Sequence, residues 1–560
     1  MKHLIIGALA LLPTVAVAKA PAAAPAMVSA ADPRAAAAGL AMLKAGGNAM
    51  DAVAATAIAL TVVEPQSSGI GGGGLLVYQP AGGKTPLTFD GRETAPKAAT
   101  DRLFLKDDGT PQPRGQAIPG GKSVGVPGNI AMLKLAHDKY GKLPWAKLFE
   151  PAIALARGGY DVTPRLANAI AESARTLSRQ KEAAALYLHA DGSPKKAGEH
   201  IVNEELARTF EAVAKDGPAA FYTGANAAAL VAAVDHAPTN PSTMTTADMA
   251  AYRAKERAPV CGRYRQYRIC SMGPPSAGGI AVIAMLGQLQ GFDLSKLGKD
   301  SPVAWHLFAD SERLAFADRA AYGGDMDFVT VPVAGLIDPA YLKERAKLIS
   351  ATATFAHAAP GQPKGAPPRA APKAVEIPST SDMAVADTSG NVASMTSTVE
   401  GGFGSSLVAG GYVLNNELTD FDFAPELDGQ KVANRVQGGK RPRSSMSPSI
   451  VYGPDGKVVL AVGAAGGPTI PAQVAKAIIG VLDWHLSIQE AIALPLVFTH
   501  DDTLVLEKGP MFAAMEPALK AMGHRTVQFS LGLKANGIER VPGGWRGGAD
   551  PRSEGVALGL

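Results

Sequence analysis

A proline-rich interruption limits the folds open to this chain more than any other feature. Six prolines fall within residues 360–378. Proline cannot continue a helix, and it cannot donate to the ladder of a central strand. We therefore expect residues 352–378 to form an exposed, extended linker between two blocks of the chain.

The residues after the linker change character at once. Residues 380–387 and 392–399 have the composition of two β-strands, and Thr388-Ser389-Gly390-Asn391 has that of a turn. This pattern predicts a β-hairpin that begins at Thr380.

The remaining elements mix helices with strands. Apolar spacing over residues 35–63 predicts two helices separated at Gly46-Gly47-Asn48, and further helices are expected near 128–140, 146–158 and 303–320. Strand patterns recur at 411–415 and 457–463. A chain of 560 residues with this content suits one large body of α and β structure, or two or three subdomains.

Composition excludes two broad classes. Hydrophobic residues make up 47% and charged residues 19% of the chain, which excludes disorder for the bulk of it. The formal net charge is +4, without the clustered basic face that nucleic-acid binding requires.

The N-terminus has the pattern of a signal peptide. Lys2 and His3 precede an apolar run from Leu4 to Ala18, which ends in the small-x-small sequence Ala16-Val17-Ala18. We expect residues 1–18 to be removed and the protein to be periplasmic or secreted. A membrane anchor is the alternative, but the run is short for a bilayer span.

The two cysteines would lie opposite each other if they belong to one β-hairpin. A turn centred on Arg265-Gln266 places Tyr264 opposite Tyr267, and Cys261 opposite Cys270 in a non-hydrogen-bonded pair. Such pairs bring side chains close together, near disulfide range. The sequence therefore predicts a Cys261–Cys270 disulfide, with two free core thiols as the alternative.

Thr380 is a candidate nucleophile because it follows Ser379 where the linker meets the first strand. Cleavage between the two residues would give Thr380 a free α-amine beside its own hydroxyl, which is one form of activated nucleophile. A linker that simply ends in polar residues is the alternative.

Three further segments could bind charge. Gly466-Gly467 lies between an apolar strand and a predicted helix, where backbone amides can hold an oxyanion. Residues 440–448 combine cations with paired hydroxyls and suit a carboxylate, whereas the acidic residues of 415–421 suit an ammonium. A tight turn and two solvated loops are the alternatives. The histidine spacing contains no zinc signature.

Taken together, these segments fit one family. The chain resembles the γ-glutamyltranspeptidases, members of the N-terminal-nucleophile hydrolase superfamily, from about Asp32 to Leu560. The motifs that carry the resemblance, in order, are Gly47-Asn48-Ala49-Met50-Asp51-Ala52, Ser68-Gly69-Ile70-Gly71-Gly72-Gly73-Gly74, Arg92-Glu93-Thr94-Ala95-Pro96, Val126-Pro127-Gly128, Pro274-Pro275-Ser276-Ala277-Gly278-Gly279, Leu414-Asn415-Asn416-Glu417, Arg441-Pro442 with Ser444-Ser445-Met446-Ser447-Pro448, and Asp550-Pro551-Arg552.

The resemblance implies an α+β fold, the four-layer αββα sandwich, made by two subunits of one precursor. Self-cleavage between Ser379 and Thr380 would give a large subunit of residues 19–379 and a small catalytic subunit of 380–560, which remain together as a heterodimer. Thr380 would attack γ-glutamyl compounds such as glutathione, and Thr398 would hydrogen-bond to it. The glutamyl group would pass to water or to an amino acid or dipeptide acceptor, with no cofactor and no metal.

The resemblance also assigns the binding groups. The amides of Gly466 and Gly467 would hold the oxyanion. The residues that would bind the α-carboxylate of the substrate are Arg92, Ser444 and Ser445. Those that would bind its α-ammonium are Glu400, Glu417 and Asp420.

Three departures from the family pattern bear on function. Ser381-Asp382 follows the nucleophile where many members have Thr-His, and the charge of Asp382 is expected to raise the pKa of the catalytic amine. Glu400 stands where some members have Asn. The segment between Asp420 and Arg441 is short and lacks tyrosine, which predicts a weak or absent lid.

Two other functions compete with this one. A cephalosporin or glutaryl-amide acylase would use the same nucleophile on a dicarboxylate that lacks the α-amine. A secreted binding protein could keep the fold without processing or catalysis.

Overall fold

A computed structural model describes residues 22–372, 379–500 and 502–560. The predicted signal peptide and residues 373–378 of the predicted linker lie outside the described residues.

The first large sheet has seven antiparallel strands. From edge to edge they are Val556–Gly559, Met27–Ala30, Ser381–Ala386, Val392–Thr398, Gly73–Gln79, Leu87–Asp90 and Lys255–Arg257. The predicted hairpin after the linker therefore lies near the centre of this sheet.

The second large sheet has six antiparallel strands. They are Gly544–Ala549, Lys534–Val541, Val458–Ala465, Ser449–Tyr452, Tyr267–Ser271 and Val260–Tyr264. Smaller pairings join Tyr160–Asp161 to His200–Ile201, Val408–Ala409 to Tyr412–Val413, Glu426–Leu427 to Gln430–Lys431, and the three strands Val497–His500, Thr503–Glu507 and Arg525–Phe529.

The two large sheets pack face to face. Alternate residues of a strand point to opposite faces, so each sheet contributes one apolar face to a shared layer. That layer contains Met27, Val77 and Ala384 from the first sheet, and Ile450, Ala461 and Ile538 from the second.

Helices cover both outer faces. Those on the side of the seven-stranded sheet are Pro33–Lys44, Ala49–Val63, Asn129–Tyr140, Glu150–Gly158, Pro164–Leu177, Lys181–Tyr187, Glu204–Asp216, Pro218–Tyr222, Gly224–Asp235 and Thr246–Ala251. Those on the six-stranded side are Gly278–Gln288, Leu294–Leu297, Pro302–Tyr322, Val333–Leu336, Pro339–Ala346, Ile470–Leu482, Ile488–Ala493 and Pro510–Ala521. A short helix, Arg114–Ala117, lies in a separate small apolar cluster. The four-layer αββα sandwich predicted from the resemblance is confirmed.

Both sheets combine strands from the two sides of the Ser379–Thr380 peptide. In the first sheet, Ser381–Ala386 pairs with Met27–Ala30, and in the second, Ser449–Tyr452 pairs with Tyr267–Ser271. A chain cut at this peptide would still share its cores, because separating the parts would expose both sheets to water.

The helix pair predicted over residues 35–63 is confirmed. Asn48 begins the second helix with a capping box, in which its side chain accepts from the N–H of Asp51 and the Asp51 side chain accepts from the N–H of Asn48. The residues of Ala49–Val63 are all buried, so this helix lies within the core rather than at its surface.

The cysteine prediction agrees with the structure. Strands Val260–Tyr264 and Tyr267–Ser271 pair in the register that places Cys261 opposite Cys270, and a disulfide joins the two. The alternative of two free thiols is not what the structure shows.

The expectation that the linker is exposed was wrong for part of it. No helix or strand occurs in its described portion, 352–372. Its backbone is held against the helix Pro302–Tyr322, because the Tyr322 hydroxyl donates to the Gly361 carbonyl and Arg313 donates to that of Phe355. Pro363 and Ala370 are buried. These side-chain donors satisfy backbone carbonyls that no helix or strand pairs.

No helix in the described part of the chain is both long enough and apolar enough to cross a bilayer.

A buried histidine pair links the two blocks. The Nδ1 of His306 and the Nε2 of His524 share a hydrogen bond of 2.7 Å, and Asp310 and Arg313 lie beside them. Burial, together with the nearby His306 and Arg313, lowers the pKa of His524 to about 4. Sequence spacing gave no indication of this pair.

The lowered pKa of His524 predicts that the stability of the fold depends on pH. An unfolded histidine titrates near pH 6.5, so between about pH 4 and 6.5 the folded protein binds fewer protons than the unfolded chain and loses stability as pH falls. We expect the Tm to decrease from pH 7 to pH 5, and His524→Gln to flatten that decrease. The exposed His236→Gln is the control. Equal slopes for His524→Gln and the wild type would contradict the assignment.

Candidate active site

The hairpin after the linker brings two threonines together. The strand Ser381–Ala386 pairs with Val392–Thr398, so Thr380 and Thr398 lie at the same end of the hairpin. Their hydroxyl oxygens are 3.1 Å apart, and Thr398 Oγ1 accepts from the backbone N–H of Glu400 at 2.8 Å. Thr380 is 4% exposed and Thr398 is 2% exposed. The two hydroxyls therefore share a hydrogen bond that solvent hardly reaches.

The peptide before Thr380 has an unusual geometry. Thr380 has a φ of 104°, a region that β-branched residues rarely occupy. The carbonyl oxygen of Ser379 accepts from the N–H of Gly466 at 3.0 Å. A hydrogen-bond donor therefore already faces the oxygen that would become negative if the Thr380 hydroxyl attacked this carbonyl carbon.

The predicted glycine turn adopts the expected position. Gly466 follows the strand Val458–Ala465, and a short 3-10 turn from Gly467 leads into the helix Ile470–Leu482. The φ values of Gly466 and Gly467 are 123° and 56°, which glycine tolerates because it has no Cβ. Gln473 fixes the turn by donating to the Ala465 carbonyl at 2.7 Å.

A small cavity opens at Thr380 and contains about 260 Å³ of empty space. The residues that line it are Arg92, Thr380, Thr398, Glu400, Glu417, Asp420, Ser444, Ser445, Met446, Gly467 and Ile470. The structure thus brings every substrate-binding residue expected from the sequence to one cavity beside Thr380. Gly466 is not among the lining residues, and its amide donates to the Ser379 carbonyl.

The expected cation contacts two of the expected anions. The guanidinium of Arg92 forms ion pairs with Glu417 and Asp420, and it donates to the carbonyls of Pro442 and Arg443. Burial opposes the charge of Arg92, but the two carboxylates raise its pKa above the usual value. Arg92 therefore stays charged, and its orientation is fixed.

The two serines are oriented by different neighbours. Ser444 Oγ accepts from the N–H of Met446 at 3.1 Å, whereas Ser445 Oγ accepts from Arg319 at 2.6 Å. Arg319 is buried on the helix Pro302–Tyr322, and the sequence analysis missed it because no motif surrounds it.

Glu400 is held by a residue that the sequence analysis quoted without assigning a role. Asn416 donates to the carboxylate of Glu400, and its own side-chain oxygen accepts from the N–H of Gly401 at 2.8 Å. Glu400 itself has a φ of 77°, so its backbone is set in an uncommon conformation beside Thr398.

Acidic groups outnumber basic groups among the cavity-lining side chains: three carboxyl groups face one guanidinium. Burial raises the pKa of Glu417 well above its usual range; Arg92 opposes that shift, whereas Glu93, Asp420 and Glu400 add to it. Burial likewise raises the pKa of the neighbouring Glu93 to about 7, against the effect of Arg92. A further cation in this cavity would relieve the repulsion among the carboxylates.

Asp382 lies in a more buried environment than its sequence position suggested. Its side chain is completely buried between the sheets, where Oδ1 accepts from the Thr396 hydroxyl at 2.7 Å. Burial raises its pKa well above the usual range and so favours the neutral acid. This shift opposes the influence on the Thr380 amine that we expected from the charge of Asp382.

The short segment after Asp420 does not cover the cavity. It forms the exposed hairpin Glu426–Leu427 and Gln430–Lys431. Among the described residues, none from 423–440 lines the cavity. The weak or absent lid stays a prediction.

Comparison with known proteins gives consistent matches. The sequence model of the gamma-glutamyltranspeptidase family matches residues 35–560. A glutathione hydrolase proenzyme of Bacillus subtilis (strain 168) is 36% identical over 534 residues, covering 93% of this chain and 89% of that protein. An acylase ACY 1 proenzyme of Pseudomonas sp. (strain SE83) is 37% identical over 499 residues, covering 88% and 85%.

The fold has a close counterpart among solved structures. The crystal structure of a cephalosporin acylase from Bacillus halodurans superposes with a TM-score of 0.86 at 27% identity, covering 99% of both chains. From these matches and the four-layer fold, the chain belongs to the γ-glutamyltranspeptidase family of N-terminal-nucleophile hydrolases.

Proposed function

We propose that this protein cuts itself between Ser379 and Thr380 and then cleaves γ-glutamyl amide bonds through a Thr380 ester. The observation that carries the proposal is the excess of buried carboxyl groups over cations in the cavity at Thr380, because the ammonium of a γ-glutamyl group would favour their ionised form. The family membership supports the same activity.

Self-cleavage begins with the Thr380 hydroxyl. Its oxygen attacks the Ser379 carbonyl carbon, the C–N bond to Thr380 breaks, and the hydroxyl proton passes to the released nitrogen. Water then hydrolyses the resulting ester, which gives a Ser379 carboxylate and restores the hydroxyl. The Gly466 amide, 3.0 Å from the Ser379 carbonyl oxygen, supports this step by stabilising the oxyanion.

Turnover repeats the chemistry on a substrate. The free α-amine of Thr380, with an ordinary pKa of about 7.7–8.0, takes the hydroxyl proton as the oxygen attacks the γ-carbonyl carbon. The amine product leaves with that proton, and the glutamyl group remains as an ester. Water, or the amine of an amino acid or dipeptide, then releases it. The amides of Gly466 and Gly467 hold the oxyanion in both steps.

The zwitterionic end of the substrate requires both signs of charge. Arg92 with Ser444 and Ser445 would bind the α-carboxylate, because a hydrogen bond from a charged guanidinium to a carboxylate is stronger than one between neutral groups. The three carboxyl groups, Glu400, Glu417 and Asp420, would bind the α-ammonium.

Acylase activity on glutaryl amides is the second candidate, because acylases are among the similar proteins. A glutaryl group lacks the ammonium, so it would add a carboxylate to a cavity already rich in carboxylates. The charge balance favours the γ-glutamyl substrate.

A pair of chromogenic substrates tests this choice. We expect kcat/KM for γ-glutamyl-p-nitroanilide to exceed that for glutaryl-p-nitroanilide by about 30-fold or more, since losing one partner of a buried charged contact has effects of this size. Turnover of glutathione tests whether the protein also cleaves a γ-glutamyl peptide. Equal or better use of the glutaryl substrate would assign the protein to the acylases instead.

Two further features belong to the proposal. The cleaved chain would act as a heterodimer of residues 19–379 and 380–560, held together by the shared sheets. Export to the periplasm or medium would follow from the leader sequence, and the disulfide between Cys261 and Cys270 is in keeping with an oxidising compartment.

A further inference from the structure

We propose that Glu64, Lys534 and Ser381 form a clamp that holds the Ser379–Thr380 peptide in position for self-cleavage. This inference rests on the proposed function, and it adds to it a positioning group on the residue that follows the nucleophile.

The clamp is a buried polar network. Lys534 Nζ donates to Glu64 Oε2 at 2.8 Å and to Ser67 Oγ at 3.2 Å. The hydroxyl of Ser381 donates to the same carboxylate oxygen of Glu64. Glu64 and Lys534 are each 1% exposed, so solvent does not screen the pair. Burial lowers the pKa of Lys534 to about 8, which leaves it mostly charged at neutral pH.

The segment that supplies Glu64 also holds the other side of the scissile peptide. The Ser379 hydroxyl donates to the Gln66 carbonyl at 3.1 Å. The N–H of Val399, next to Thr398, donates to the Ser67 carbonyl at 3.1 Å. One short stretch of the first block therefore fixes the residues on both sides of Thr380.

Lys534 also connects this network to the oxyanion donor. Its strand pairs with the strand Val458–Ala465 so that Lys534 lies opposite Ala465, the residue before Gly466. The Gly466 amide reaches the Ser379 carbonyl at 3.0 Å. The clamp thus orients the carbonyl and its donor through adjacent strands.

The peptide needs such support because its conformation is unfavourable. A threonine with a φ of 104° would relax to the usual extended region unless its neighbours prevented it. The contacts of Ser379 and Ser381 resist that relaxation from either side. Cleavage of the peptide frees Thr380 from this backbone constraint.

The test uses a substitution that leaves the ion pair intact. Lys534→Met would leave Glu64 charged and unpaired in the core, and it is expected to destabilise the whole fold. Ser381→Ala removes the hydroxyl that donates to Glu64 and accepts from Lys534 at 3.4 Å, and it leaves both partners of the ion pair in place. Ser394→Ala is the matched control, because Ser394 is a buried serine of the same hairpin whose hydroxyl makes no hydrogen bond to the described residues. The full chain is made by cell-free synthesis, and cleavage is followed on denaturing gels.

We expect Ser381→Ala to slow cleavage about tenfold or more, the size expected for a hydrogen bond to a charged group. Ser394→Ala should cleave at nearly the wild-type rate, and Ser381→Thr, which keeps the hydroxyl, should recover most of it. The loss in cleavage rate should exceed any loss in kcat of the matured fraction.

Two results would overturn the clamp alone: Ser381→Ala cleaving as fast as the wild type, or Ser381→Ala and Ser394→Ala slowed alike, which would indicate packing. A wild-type chain that never breaks after Ser379 would overturn the proposed function and the clamp together.

Discussion

Thr380→Ala should accumulate as one uncut polypeptide and lose γ-glutamyl turnover. Its missing hydroxyl is the group proposed to attack the Ser379 carbonyl and then the substrate, so both reactions fail together. Removing a catalytic nucleophile decreases kcat by about 10⁴-fold or more in well-studied hydrolases. Denaturing gels and release of p-nitroaniline from γ-glutamyl-p-nitroanilide measure the two effects.

Two variants separate loss of chemistry from loss of fold. Thr380→Ser keeps an attacking hydroxyl and should still cleave itself, more slowly. Thr56→Ala removes another buried threonine hydroxyl, on the helix Ala49–Val63, and should mature normally. Cleavage of Thr380→Ala at the normal position would contradict the assignment of the nucleophile.

Arg92→Ala should raise the KM for γ-glutamyl-p-nitroanilide by about 30-fold or more while self-cleavage persists, because truncating one partner of a buried charged contact has effects of this size. The guanidinium would bind the α-carboxylate of the substrate, whereas the cleavage reaction needs no such group. Its loss also leaves Glu417 and Asp420 without their cation. Initial-rate kinetics of the matured enzyme provide the measurement.

Arg345→Ala is the matched control for this variant. Arg345 is also a buried arginine that lies near a carboxylate and donates to backbone carbonyls, but it does not line the cavity. Its substitution should decrease the Tm without a comparable change in KM. An unchanged KM in Arg92→Ala would remove Arg92 from the substrate site.

The features that the sequence predicted well depend on local patterns. The hairpin from Thr380 followed from two strand patterns around a turn, which are visible because side chains alternate along a strand. The opposition of Cys261 and Cys270 followed in the same way. The binding residues came from motifs, and their convergence on one cavity is the point at which the structure adds most.

The features that the sequence could not predict depend on long-range packing. We assigned Arg92 to the α-carboxylate of the substrate and Glu417 to its α-ammonium because of their opposite charges. Only the folded chain reveals that the two side chains contact each other. Arg319 has no motif around it and reaches Ser445 across the fold. Asp382 looked like an added negative charge near the nucleophile, whereas burial between the sheets favours its neutral form.

Catalysis by Thr380 depends on the new N-terminus that cleavage would create. Intact-mass measurement and N-terminal sequencing of catalytically active protein should identify two chains, the smaller beginning Thr380-Ser381-Asp382. Activity in an unbroken chain, or in a small chain that begins at another residue, would contradict it.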